Sequence, residues 1–233
     1  MKRLFVFTAI VLAIVLTSRV HAQWAIMKSD AEVNIKKGMN YIYNTNFDSA
    51  EVCFRNVIQM YPEHPSGYFL DAMVDWWRMQ IDKRNKSYSD QFLQKVERVV
   101  TVCDALTDKN EFDITGLFFK GGILGFRGRY YASNQSWLKA ANDGREAFDI
   151  LIKCSKLAPG NHDIMLGTGI YNYFAAALPE QYPALKTVMV FLPNGDKKLG
   201  ILQLEAAGNK AKYAAVEAKV VLQQVYGNQF ERN

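Results

Sequence analysis

The chain has 233 residues, 49% hydrophobic and 22% charged, with 28 basic and 23 acidic side chains and a formal net charge of +5. That balance supports a sizeable folded core and excludes wholesale disorder. Residues 1–22 hold Lys2, Arg3 and Arg19 and no acid, so the remainder has 25 basic against 23 acidic residues, a net of +2. Without a clustered basic surface to neutralise phosphates, nucleic-acid binding loses its support.

The first segment stands apart from the rest. Lys2 and Arg3 precede an apolar run from Leu4 to Leu16, broken only by Thr8, and Val20-His21-Ala22 follows as a small-residue cleavage site. This is the layout of a secretory signal peptide, with cleavage after Ala22. As a helix the run spans ~20 Å, short of the ~30 Å hydrocarbon core, so it does not read as a transmembrane anchor. No cysteine follows it to carry a lipid. The expectation is a signal peptide over 1–22 and a helical domain over 23–233. That domain is exported to the periplasm or secreted, with an outer-membrane surface as one destination and no transmembrane segment after signal removal.

Beyond residue 22 the apolar residues recur with helical period. Phe92, Val96, Val99, Cys103 and Leu106 form one stripe; Trp137, Ala140, Ala141, Gly144, Ala147, Phe148 and Leu151 form another. The spacing predicts ten helices, at about 28–45, 48–61, 65–83, 88–107, 112–131, 135–157, 161–178, 183–191, 195–207 and 211–226. Between them lie stop signals such as Asn46-Phe47-Asp48, Pro62 to Pro65, Pro159-Gly160, Pro179 to Pro183 and Pro193-Asn194-Gly195. The segment Val188-Met189-Val190-Phe191 is equally compatible with extended chain. No segment shows sustained alternation, so the fold class is all-α.

Two markers repeat at nearly one period. Cys53, Cys103 and Cys154 lie 50 and 51 residues apart, and Gly67, Gly116 and Gly167 lie 49 and 51 apart. Each cysteine falls late in one predicted helix and each glycine early in the next. An odd cysteine count in an exported chain does not form a closed disulfide framework, so the cysteines read as small buried hydrophobes.

Gly38, Tyr41, Ala50, Phe54 and Pro62 stand at the spacing of the tetratricopeptide pattern, with Asn34 and Lys37 departing at its tryptophan and leucine positions. Leu166-Gly167 and Leu199-Gly200 repeat its Leu-Gly pair, and Ala147, Leu151 and Pro159 follow more loosely. The chain thus resembles a divergent, long-helix tetratricopeptide-repeat protein. The resemblance implies an α-solenoid of antiparallel helix hairpins, a right-handed superhelix whose first helix in each pair lines a concave groove for a protein or peptide partner. It places Glu32, Ile35, Met39, Ile42 and Tyr43 on that groove.

Other residues suit a partner site by their chemistry. Trp76-Trp77-Arg78 sets two tryptophans about 100° apart on one helix, so that one of them, with Arg78, is free to anchor a partner; the alternative is a core wedge. Tyr171, with Tyr173 and Phe174, divides between core and groove. Gly121, Gly122, Gly125 and Gly128 make a smooth strip, flanked by Arg127 and Arg129. Glycine costs ~1 kcal/mol inside a helix, so close helix packing or a ligand lying on the strip must offset it. The arginines are suited to a carboxylate or phosphate, or to structural ion pairs.

The partner-binding set is therefore Glu32, Met39, Tyr43, Trp77, Arg78, Arg127, Arg129 and Tyr171. No catalytic, metal or cofactor motif emerges: His64 and His162 fall in turns, and the chain has no His-Glu-x-x-His or Gly-x-Ser-x-Gly. The expected function is an exported scaffold binding a protein segment, in envelope assembly or transport, and not an enzyme. Two alternatives stand beside it. One is a self-associating structural or membrane-associated component; the other is an enzyme or small-molecule receptor using Arg127, Arg129 and Tyr130. The last helix exposes Val220, Val221, Leu222 and Val225, so either a partner covers it or the chain is a piece of a longer protein.

Overall fold

Helix starts follow from side chains that accept the first free backbone N–H groups. Asn46, Asn85, Asp113 and Asp196 each do so at an N-cap. His64 uses Nδ1 to accept from the Ser66 N–H at 3.2 Å, ahead of Pro65 at the first helical position. The structure, a computed structural model, describes residues 28–190 and 192–227; the expected signal peptide lies outside them. The helices are α1 (Glu32–Tyr43), α2 (Phe47–Met60), α3 (Pro65–Ile81), α4 (Lys86–Thr107), α5 (Ile114–Ser133), α6 (Trp137–Leu157) and α7 (Ile164–Gln181). A 3-10 turn, Pro183–Leu185, then runs into the four-residue helix Lys186–Met189, followed by α8 (Lys197–Lys210) and α9 (Ala215–Gly227).

The two proline-bearing segments between α7 and α8 differ most from expectation. α7 continues through Pro179 to Gln181, because proline's fixed φ is helical and the Tyr182 N–H still closes the last turn on Leu178 at 2.8 Å. The predicted helix at 183–191 is reduced to the short turn-and-helix segment.

Consecutive helices pack antiparallel, and the odd-numbered ones also touch each other in series: α1 with α3, α3 with α5, α5 with α7, and α7 with α9. The result is an all-α solenoid with odd helices on its inner face and even helices outside. No one centre holds it together. One apolar cluster spans α1 to α5 around Ile35, Phe54, Phe92 and Phe119. A second joins α5 to α7 through Leu117, Leu151, Cys154 and Ile164, and a third joins α7 to α9 through Tyr173, Leu204, Val221 and Val225. The last helix thus buries Val221 and Val225 within the chain itself.

The 50-residue period has a packing cause. A methyl group added at Gly67 would lie 2.7 Å from Ile58 Cγ1 and 2.9 Å from its backbone N. At Gly116 it would lie 3.0 Å from the Cys103 carbonyl oxygen, and at Gly167 it would collide with Leu151 Cδ1. Each glycine is where an odd helix crosses the even helix before it. Cys53, Cys103 and Cys154 are buried free thiols; Cys53 lies against Gly38 of α1, and the Cys103 backbone meets Gly116. Burial pushes the thiols of Cys103 and Cys154 up to about 12, so both remain protonated near neutral pH.

Candidate functional site

The inner face encloses a cavity of about 1370 Å³ between α1, α3, α5, α6, α7 and α9. Its wall is mostly apolar and aromatic: Met39, Met73, Trp76, Phe126, Phe148 and Phe174 are typical members. Odd helices supply most of these groups because their inward stripes have no outer neighbour to fill the space. Phe148 and Tyr171 stack at 4.0 Å between ring centroids, and the Tyr171 hydroxyl donates to the Pro193 carbonyl at 2.9 Å. Burial raises the Tyr171 phenol to about 12.

Helix α9 closes one side of this space, and its position is fixed by contacts far apart in sequence. Asp163 stands at the N-cap of α7 but gives its own helix no side-chain cap. Its Oδ1 instead accepts from the Tyr213 and Ala214 N–H groups, both at 2.8 Å, and Oδ2 from the Lys212 N–H at 3.4 Å. A carboxylate at the start of α7 therefore caps the positive end of α9. The Tyr43 hydroxyl of α1 donates to Glu217 Oε1 at 2.8 Å, and Lys212 pairs with Glu32 at 3.0 Å. The superhelix has curled far enough for α1 to meet α9, the first and last of the described helices.

Two charge-bearing groups on the cavity wall lack full partners. Glu217 Oε2 is buried without a hydrogen bond. Burial pushes this carboxyl above its usual range, against the lowering effect of the Tyr43 hydrogen bond. Arg129 is the second. Its guanidinium lies deep against the Trp76 ring, 5.2 Å from the centroid, with Phe126 at 6.0 Å. Its one hydrogen bond among the described residues is from NH2 to the Gln224 side-chain oxygen of α9, at 3.3 Å. Among the described residues no carboxylate pairs with it, and burial draws its pKa down to about 10.

The residues singled out from sequence divide into two groups. Met39, Tyr43, Arg129 and Tyr171 come together on the cavity wall. Glu32 lies beside α9 in ion pairs with Lys36 at 2.8 Å and Lys212. Trp77 packs edge-on to Tyr43 at 6.5 Å, while its neighbour Trp76 faces the cavity. Arg78 and Arg127 point away from the cavity. Arg78 bonds Glu51 at 2.5 Å, Asp48 at 2.9 Å and the fully buried Asp75 at 3.1 Å, tying α2 to α3. Arg127 makes a two-pronged contact with Asp143 at 2.7 and 2.9 Å and reaches Glu97 at 2.6 Å, joining α4, α5 and α6. Each arginine follows its module glycine by eleven residues, so both occupy one repeat position with one structural job.

The glycine strip serves both surfaces. Gly121 lies against Leu151 and Ile150, and Gly128 against the backbone of Ala140 and Gly144, so α6 packs close on that side. Gly122 and Gly125 open toward the cavity, the former beneath Phe69. Sequence reasoning did not reach Glu217, Gln224 or Asp163. Nothing local marks them, since their roles come from groups 49 to 174 residues away.

Among the described residues no helix is long and apolar enough to cross a membrane. No family model, curated protein or solved structure matches the chain.

Proposed function

We propose that the chain is an exported, non-enzymatic scaffold of the tetratricopeptide type that holds a segment of another protein along its concave face. The observation that carries this is the cavity of about 1370 Å³, lined by methionines and aromatic rings from successive odd helices. Such side chains adapt to apolar surfaces of varied shape, and a groove formed by stacked helices suits an extended or helical segment. The chain's own α9 already rests against this face, so the face accommodates polypeptide. Export rests on the layout of residues 1–22.

Photo-crosslinking in cells tests the reading. A crosslinking side chain replacing Met39, on the cavity wall, should yield adducts of polypeptide mass. The same probe at Val33, which is 74% exposed and absent from the cavity wall, should not. Equal labelling at the two positions rejects the concave face as the binding surface. Adducts of twice the chain's own mass would favour self-association instead.

A further inference from the structure

We infer that Arg129 is the anchor for a carboxylate on an apolar ligand, and that the ligand is the carboxy-terminal end of a peptide. This rests on the groove being the binding surface and names the chemistry that surface selects. A guanidinium is a planar fork of five donors that matches a carboxylate in two places, and in a mostly apolar wall such a pair is strong. Arg127, two residues earlier, shows what this chain does with an arginine meant for structure: it gives the fork a buried aspartate. From the described residues Arg129 receives only a glutamine oxygen at 3.3 Å and two ring faces. Its remaining donors border a cavity large enough for several side chains. No described residue supplies an anion there, and holding a cation without one works against folding, so a counter-charge brought by a ligand is the natural complement.

A second polar point lies on the same wall. Glu217 and Gln224 are seven residues apart on α9, a rise of about 10 Å. Glu217 Oε2 is buried and unbonded, and it borders the same cavity. A simple fatty acid has nothing to offer it. An extended peptide reaching from Arg129 presents main-chain N–H and carbonyl groups along that distance, about 3.3 Å per residue. The other charged groups near the cavity are already engaged or peripheral. Asp163 is used by the start of α9, while Asp82, Lys83, Lys86 and Asp90 are exposed at the rim.

The test is calorimetric titration of the full chain with four probes: an apolar hexapeptide with a free terminal carboxylate, the same peptide amidated, dodecanoate, and dodecanol. The free-acid peptide should bind at least about tenfold tighter than its amide, the effect of one charge-assisted pair. Arg129→Met should reduce that preference to about twofold or less, and Glu217→Gln should leave it intact. Arg129→Met should also melt no lower than the parent, because no internal carboxylate loses its partner. Arg129→Lys, which keeps the charge and loses the fork, should retain part of the preference and serves should the methionine variant fold poorly. Equal binding of acid and amide by the parent overturns the inference, as does an unchanged preference in Arg129→Met. Failure of both carboxylates to bind at millimolar concentration overturns it too. If dodecanoate binds tighter than the free-acid peptide and depends on Arg129, the carboxylate site stands and the peptide reading of the groove falls.

Discussion

Arg127 and Arg129 illustrate how much two positions on a helix can differ. They lie about 200° apart around α5, so one faces the outer helices and the other the cavity. Arg127→Ala leaves Asp143 buried without its guanidinium partner and should cost about 2–3 kcal/mol, read as a lower denaturation midpoint. Arg129→Ala should not lower the midpoint by a comparable amount. A second residue-scale effect lies in the turns. Thr45 and Gln135 adopt φ of 59° and 58°, the left-handed region that costs a side-chain-bearing residue about 1–2 kcal/mol. Both sit at the same place in the α1–α2 and α5–α6 hairpins. The N–H two residues after each helix, at Thr45 and Gln135, bonds back to Ile42 and Ala132, at 2.9 and 3.0 Å. Thr45→Gly should therefore raise stability by about 0.5–1 kcal/mol, a gain in melting temperature of about 2 °C.

At the scale of elements, glycine chemistry separates crossings from open surface. Gly67→Ala forces a methyl onto the Ile58 backbone and should part α2 from α3, costing about 2 kcal/mol or more in a denaturant titration. Gly144→Ala meets nothing within 4 Å in mid-helix α6 and should stabilise by about 0.5–1 kcal/mol. Helix α9 has its own pH dependence. Glu217 is held above its usual pKa by burial, with Asp163 adding repulsion and Tyr43 opposing it. Its protonated form is the one the fold favours. The stability it contributes is complete below the ordinary carboxylate pKa and is lost as pH rises through the raised value. Glu217→Gln, a fixed mimic of the protonated state, should flatten that fall. Comparing amide hydrogen exchange of 215–227 in the two proteins from pH 4 to pH 7 measures it, and an identical pH trend would refute it.

At the scale of the molecule, three apolar clusters follow one another along the described residues, and α9 returns to α1. Nearest-neighbour packing carries most of the stability, so the ring closure is separable from it. Asp163→Ala removes three hydrogen bonds at the start of α9 and should raise exchange there while α2 to α6 keep their protection. Loss of protection throughout would show that closure and solenoid form one cooperative unit.

How much of this was legible depends on the range of the forces involved. Helix positions, caps such as Asn46 and Asp113, and the period of Gly67, Gly116 and Gly167 rest on contacts between neighbours in sequence or adjacent helices. Apolar stripes and small residues record those contacts directly. The assignment of Arg78 and Arg127 to ion pairs, and of Arg129 to the cavity, was not legible, because all three are arginines on amphipathic helices. Their partners are set by which way each face turns. Still less so were Asp163 serving α9 and Tyr43 meeting Glu217. Those pairs depend on the curvature summed over every hairpin, a small angle repeated until the first helix reaches the last. The amino-acid sequence by itself determined that this protein is a run of helices that must stack to bury their stripes. Only the tertiary structure decided that the stack curls around a cavity and leaves one guanidinium there with no counter-charge among the described residues.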